Sequence, residues 1–207
     1  MAGNKRGEQR RRDLLEAARA AMLEHGAGVR LNQVAEHAGL TSGAVLYHYP
    51  DLDQLLIEAN RAGMERFYDS RLAALEGIAS PAQRLVVTIS SGLPTSSADP
   101  DVRLLCELGG AAARNVVYGI LLTALFDKQV AMYQMILEAG ASAGDFSLQG
   151  SALTIARNLV ALEDAYGYRM MAHHPSIGHD AAVALILDYA RTATGHSLTH
   201  DGDEIDR

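Results

Sequence analysis

The sequence has one cysteine, no tryptophan, no sustained alternation of apolar and polar residues, and no long apolar run. Each absence removes a class of protein. Cys106 alone cannot form an internal disulfide, which excludes a disulfide-stapled scaffold and suits a reducing cytoplasm. Without period-two alternation there is little from which to build strands. The longest apolar candidate, Val116 to Phe126, is interrupted by Gly119 and Thr123. It falls short of a membrane span by nearly half, so no membrane partner is expected. The N-terminus carries charge with no apolar segment behind it, so no signal peptide is expected. No internal repeat and no low-complexity tract is visible.

What is present is 207 residues, 48% of them apolar. That is one large domain or two small ones, with enough chain to bury a substantial core. The net charge of −7 argues against a protein that coats nucleic acid along its whole surface. The charge is unevenly placed, however. Residues 1–50 carry a balance of +2 and the remainder −9, and Lys5, Arg6, Arg10, Arg11 and Arg12 crowd the first twelve positions. A basic arm on an acidic body fits a chain whose N-terminal part meets a polyanion. The plainer alternative is a solvated, disordered terminus.

Helical periodicity is nearly continuous, so the fold is expected to be all-α. A first helix is expected from about Gly7 to His25, with Leu14, Leu15, Ala18, Ala21 and Met22 on one face and Gly26 as its stop. Short helices follow near 31–38 and 42–48. A fourth starts after Pro50 with Asp51 as N-cap and runs to about Glu76. Ser80-Pro81 opens a fifth. The loop 94–101 re-caps the next helix, which has a weak break at Gly109-Gly110. Longer helices are expected over about 115–139, 148–173 and 179–194, and the acidic tail 199–207 is expected to fray. The chain thus divides into a small N-terminal three-helix unit and a larger helical body.

The segment 31–56, LNQVAEHAGLTSGAVLYHYPDLDQLL, has the parts of a helix-turn-helix. Leu31, Val34, Ala35 and Ala38 supply an inner stripe. Gly39 tolerates a left-handed corner, and Leu40 pins it. Thr41 caps the second helix, with Val45 and Leu46 as its inner face. Ser42, Gly43 and Ala44 are small enough to enter a major groove. Tyr47 and His48 can donate to flanking phosphates, contacts that position a protein without reading sequence.

This stretch resembles the TetR-type transcriptional regulators. The resemblance rests on Leu15-Glu16-Ala17-Ala18, Gly26, Val34-Ala35, Ala38-Gly39-Leu40-Thr41, Gly43, Leu46-Tyr47-His48-Tyr49 and Leu55-Leu56, and it covers residues 9–60. Beyond it there are two short echoes, Gly144-Asp145-Phe146 and Leu162-Glu163-Asp164-Ala165. The resemblance implies a nine-helix protomer: a DNA-binding domain over 7–67, and a ligand-binding and dimerisation domain over 68–207. It implies a cytoplasmic homodimeric repressor on a palindromic double-stranded DNA operator, released by a small-molecule effector. Helices five to eight would enclose the ligand, and helices eight and nine would form the dimer face. Carried over by motif position, Thr41, Ser42, Ala44 and Val45 face bases. Gly43 lets the backbone approach phosphate, Arg30 contributes a phosphate contact, and Tyr47 and His48 hold phosphates. The chain departs from the pattern in three places. Arg30 stands where Thr or Ser usually caps helix two, Leu52 stands where Lys usually opens helix four, and Tyr49 replaces Phe, as a core residue with its hydroxyl at the rim.

In the body, Tyr118, Phe126 and Tyr133 lie on a long apolar helix with Met132 and Met135, and are either core or a ligand wall. Glu163 and Asp164 interrupt an apolar helix. Either they are one exposed and one partnered acid, or one of them anchors a polar ligand group or pairs with Arg169 or Arg114. The last helix alternates small and large apolar groups through Ala181, Ala182, Leu185, Ile186, Tyr189 and Ala190, which suits a dimer surface or packing on its own body. His173-His174 with His179 and Asp180 lack metal-ligand spacing, so no metal, no cofactor and no catalytic residue is expected. The rival readings are a DNA-binding regulator without a small-molecule ligand and an all-α enzyme built on Glu163, Asp164 and the histidines.

Overall fold

The computed structural model describes residues 2–199, and among these it contains nine α-helices and no strand. They are α1 (Ala2–His25), α2 (Leu31–His37), α3 (Ser42–His48), α4 (Leu52–Ala73), α5 (Pro81–Ser91), α6 (Pro100–Ala112), α7 (Val116–Ala143), α8 (Ala152–Met171) and α9 (His179–Thr194), with a 3-10 turn at Gly26–Gly28. The all-α expectation holds. Most boundaries follow local chemistry. Asp51 Oδ1 accepts from Gln54 N–H at 2.8 Å, and Ser80 Oγ from Gln83 N–H at 3.3 Å ahead of Pro81. Each such cap satisfies an amide that the helix itself cannot.

Several boundaries differ from the sequence reading; α7, for one, runs to Ala143 instead of ending near 139. α1 begins at Ala2, so the backbone of the basic arm is helical. α4 ends at Ala73, short of Glu76. α6 runs unbroken through Gly109-Gly110. α8 begins at Ala152 because Ser151 Oγ caps it, accepting from Thr154 N–H at 3.1 Å. The acidic tail from His200 on lies outside the described residues. Neither Gly119 nor Thr123 interrupts α7, which is 28 residues long. By length and composition this helix could cross a membrane, with a mean hydropathy of 1.2 over 18 residues, contrary to the expectation of no such run. Its later turns bury Val130, Met132, Tyr133, Ile136 and Leu137 in protein.

The helices group into two compact units. The first takes the chain up to Arg66 together with Arg103–Leu122. Its core holds Leu14, Ala18, Ala21, Val34, Val45 and Leu55, all fully buried. α1 packs on α2, and α2 on α3. The second takes Phe67–Val102 and the chain from Thr123 on. Leu85, Ile89, Tyr133, Leu137, Leu159 and Ile186 are fully buried there or nearly so. Each such apolar side chain contributes about 1.5–3 kcal/mol relative to exposure.

The turn after α7 shows how closely the second core is fitted. Gly144 takes φ +83°, and the amides of Asp145 and Phe146 both donate to Gly140 O, at 2.9 and 3.1 Å. This turns Phe146 back onto α7, so that a Cβ on Gly140 would lie 2.2 Å from its ring.

Candidate nucleic-acid interface

The corner between α2 and α3 is closed by its own backbone. Gly39 has φ +63°, its N–H donates to Glu36 O at 3.0 Å, and Leu40 N–H reaches back to Ala35 O at 2.9 Å. This paired arrangement ends a helix at a left-handed residue, which glycine occupies without steric cost. Leu40 packs half-buried against the first core. Thr41 then caps α3, its Oγ1 accepting from Ala44 N–H at 3.2 Å. Such a cap stabilises by about 1 kcal/mol. Pro50 disfavours helical backbone in the residue before it, and Tyr49 is extended.

At the start of α2, Arg30 is the N-cap and is exposed. A guanidinium has no acceptor, so its side chain cannot cap. Gln33 compensates in part, because its Oε1 accepts from Arg30 N–H at 2.7 Å. The loss of capping expected at Arg30 is therefore partial.

The short α3 presents a definite face. Thr41 and Gly43 are exposed, Ser42, Ala44 and His48 are half-buried, and Tyr47 is 86% exposed. The Tyr47 and His48 rings meet edge to face, with centroids 5.2 Å apart. The two residues read as the inner face of α3 part company. Val45 is fully buried and lies in the core, so it does not face bases. Leu46, read as inner face, is 41% exposed. The reason is helical geometry: Val45 and Tyr49 stack at i and i+4 over the core, and Leu46 is rotated about 100° away from them. Tyr49 is only 2% exposed, and its hydroxyl is buried rather than at the rim. Burial pushes that hydroxyl's pKa above the ordinary tyrosine value.

Of the basic cluster, Arg11 is already engaged. Its Nη2 donates to Glu58 Oε2 at 2.7 Å, and its guanidinium lies 4.7 Å from the Tyr49 ring centroid. Hydrogen bonding to Glu58 holds its pKa above the usual arginine value. Arg10 and Arg12 are exposed, with Arg12 donating to Gln9 at 2.7 Å. Leu52, in place of the usual lysine, packs half-buried against the first core.

The residues read as a ligand wall do not converge on one cavity. Tyr118 belongs to the first unit and lines a space of about 40 Å³ with Met22, Val29, Leu56 and Asn60. Burial, and then Asp53, raise its pKa. Phe126 packs half-buried against the second core, and Asp164 is on the exposed side of α8. Tyr133 and Glu163 do meet, at the centre of the second unit. The cation facing Glu163 is Arg71 of α4, not Arg169 or Arg114. Arg71 Nη2 donates to Glu163 Oε1 at 2.7 Å, and Nη1 to Oε2 at 3.1 Å. Nη2 also reaches Thr88 O at 2.9 Å, and Tyr133 Oη donates to Glu163 Oε1. Arg71 and Glu163 are 1% and 2% exposed.

Burial pushes the Glu163 carboxyl up, and Arg71 and Tyr133 offset part of that rise. Burial opposes the Arg71 charge, but Glu163 and Tyr133 outweigh it and hold its pKa above the ordinary value. Gly92 makes room for the pair, since a Cβ there would lie 1.9 Å from Glu163 Oε1 and 2.6 Å from Arg71 Nη2. Arg71, Thr88 and Gly92 carried no signal in the sequence. Beside the cluster, the second unit has a cleft of about 850 Å³ lined by Phe67, Ser70, Gln83, Ser91, His179 and Leu198, among others. Two of the other histidines meet the backbone. His174 Nδ1 accepts from Ser176 N–H at 3.2 Å, and His179 Nε2 lies 3.2 Å from Ser90 O.

Residues 14–59 match the model of the bacterial regulatory proteins, tetR family. No curated protein matches the sequence. Solved structures do match over nearly the whole chain. A transcriptional regulator from Saccharomonospora viridis in complex with choline is 23% identical, with a TM-score of 0.83, covering 90% of this chain and 98% of that one. A TetR transcription regulator from Haloarcula marismortui is 22% identical, with a TM-score of 0.82, over 90% and 99%. The regulator FadR from Bacillus subtilis in complex with stearoyl-CoA is 16% identical, with a TM-score of 0.68, over 91% and 98%. The chain therefore has the fold of TetR-family transcriptional regulators, and the resemblance carried by its helix-turn-helix is borne out.

Proposed function

We propose that the chain is a ligand-responsive repressor: a cytoplasmic homodimer that binds a palindromic DNA operator and is released by a small molecule. The observation that carries the DNA-binding part is α3, a Thr41-capped helix that opens on the small residues Ser42, Gly43 and Ala44 and carries in its last turn a Tyr47 that is 86% exposed. Gly43 adds support. A Cβ there would meet nothing closer than Thr41 Oγ1 at 4.0 Å, so no contact inside the protein demands a glycine, whereas close approach to a phosphate would. Residues 7–67 act as the DNA-binding domain and 68–207 as the ligand-binding and dimerisation domain. Residues 103–122 belong to the latter by sequence and to the first unit by packing. Thr41, Ser42 and Ala44 read bases, and Arg30, Tyr47 and His48 hold phosphates. Leu153 and Tyr168 of α8 and Leu185 of α9 are exposed apolar groups that suit the dimer face.

The effector is mainly apolar with a polar anchor, and Tyr118, Phe126, Tyr133, Glu163 and Asp164 are its nominated contacts. Support for a ligand as such comes from the two ligand-bearing regulators of the same fold, one with choline and one with stearoyl-CoA, and from the cleft in the second unit, although none of the five nominated residues lines that cleft. Release is a population shift. Ligand favours a state in which α4 has swung, and the two recognition helices leave the spacing of one DNA turn, about 34 Å. One observation favours a second reading, a DNA-binding regulator without a ligand: Glu163 already has both carboxylate oxygens satisfied by Arg71 and Tyr133.

Gel shift and footprinting with DNA from beside the chain's own gene test the proposal. A protected site with two-fold symmetry is expected, whereas an all-α enzyme would give no specific band. Tyr47→Ala should weaken binding to all sequences alike, while changes at Ser42 or Ala44 should alter base preference. Absence of any two-fold protected site sinks the DNA-binding reading. A broad screen of aromatic, fatty-acyl and cationic compounds that shifts neither melting nor DNA release sinks ligand control and leaves the second reading.

A further inference from the structure

Three side chains of the first unit, outside the helix-turn-helix contacts, come together where α1 and α2 end. Glu24 and His25 close α1, and His37 closes α2. His37 Nε2 lies 3.2 Å from Glu24 Oε2, and His25 Nε2 lies 3.8 Å from Glu24 Oε1. The two imidazoles stand edge to face, with centroids 6.2 Å apart. One donor atom from each residue falls within 4.8 Å of the other two. Among the described residues, the ion-pair partners of Glu24 are these two histidines.

We propose that Glu24, His25 and His37 form a binding site for a divalent transition-metal cation of the zinc class. Two imidazoles and one carboxylate are a donor set that zinc accepts, with metal–donor bonds of about 2.0–2.2 Å. Tetrahedral bonds of that length put donors about 3.4 Å apart. The Glu24–His37 separation already meets this, and the others close by side-chain rotation on a solvent-facing surface. Two nitrogens select zinc, nickel, cobalt or copper over magnesium and calcium, which prefer oxygen. The helix ends add to the attraction. His25 and His37 are the last residues of their helices, where the unpaired carbonyls carry partial negative charge. Three protein donors leave a fourth position to water, and the imidazole side chains are 28–29% exposed, so an ion has an entry path.

The consequence is local. A bound ion ties the end of α1 to the end of α2, two residues before the Gly39 corner. It stabilises the helix-turn-helix by adding a cross-link that exists only in the folded unit.

The test uses the untagged full chain, stripped with chelator and titrated with zinc chloride and cobalt chloride at neutral pH. One high-affinity equivalent per chain is expected, with a rise in melting temperature and visible cobalt absorption of a tetrahedral or five-coordinate site. His25→Ala/His37→Ala should raise Kd at least about tenfold and abolish the melting shift, and Glu24→Gln should weaken binding alone. Each stripped variant is its own reference, so the readout is the melting shift that metal adds to it and not its metal-free melting temperature. His173→Ala/His174→Ala should bind as the parent does. Unchanged affinity and melting shift in His25→Ala/His37→Ala overturns the site, as does a parent protein that takes up no metal at 100-fold excess over chain. DNA binding is not part of the readout, so failure here leaves the regulator reading standing, and the converse holds.

Discussion

Glycine-to-alanine substitutions in helices provide a sharp test, because propensity and packing give opposite signs at chosen positions. Gly109, Gly110 and Gly140 all lie inside α-helices. Propensity alone makes each replacement stabilising by about 1 kcal/mol, through reduced backbone freedom in the unfolded chain. At Gly109 and Gly110 nothing opposes this, since a Cβ would meet no heavy atom within 4 Å. Their melting temperatures should rise by about 2–4 °C, the usual conversion for a chain of this size. At Gly140 the Cβ would lie 2.2 Å from Phe146 Cδ2 and 2.3 Å from Cε2, well inside contact distance. Phe146 is 5% exposed and held by the turn at Gly144, so it has no free space to move into. Expelling a buried phenylalanine costs about 3–5 kcal/mol. Less the propensity gain, Gly140→Ala should lose about 2–4 kcal/mol, or about 4–16 °C. Adding Phe146→Leu should recover part of the loss, giving a double-mutant coupling of about 1 kcal/mol or more. Urea melts and calorimetry on the three glycine variants, on Phe146→Leu and on the double variant provide the numbers. A Gly140→Ala protein at least as stable as its parent would refute the close approach of α7 to the turn that follows it.

The remaining predictions concern charge. Arg71→Met leaves Glu163 buried with Tyr133 as its remaining partner, so the carboxyl's already raised folded-state pKa climbs further. A folded pKa above the unfolded value means stability is lost as pH rises through that window. The deficit of the variant should therefore grow from pH 5 to pH 8 towards about 3–5 kcal/mol, and a deficit that shrinks with rising pH contradicts the assignment. Leu52→Lys should tighten binding to specific and random DNA and steepen the salt slope by roughly two per dimer, while Arg30→Ala should flatten it. Because Leu52 is half-buried, its replacement should also lower stability modestly, with the lysine stem retaining part of the contact. An unchanged salt slope for Leu52→Lys removes the start of α4 from the phosphate backbone.

Much of the fold was legible because its signals act over a few residues. The caps at Thr41, Asp51 and Ser80 were each readable from a hydroxyl or carboxylate ahead of an apolar period. The corner at Gly39 was readable from one glycine, because only a residue without Cβ takes that backbone freely. That the core covers Val45 and leaves Leu46 exposed was not legible. In a helix of two turns, neighbouring apolar residues both fit the pattern, and the core decides which one it covers. The tail from His200 on, read as frayed, lies outside the described residues.

The sequence by itself determined the helix count, the helix-turn-helix and its exposed Tyr47, since these follow from local backbone preference and 3.6-residue periodicity. Only the tertiary structure decided which charges meet. Arg71 and Glu163 are 92 residues apart, and propensity carries no information about such a pair. Glu24 and His25 reach His37 only after a 3-10 turn and a second helix have folded α2 back along α1. Long-range pairs of this kind arise when apolar faces pack and bring polar groups along with them. Packing therefore determines the partner of each buried charge, and local sequence does not.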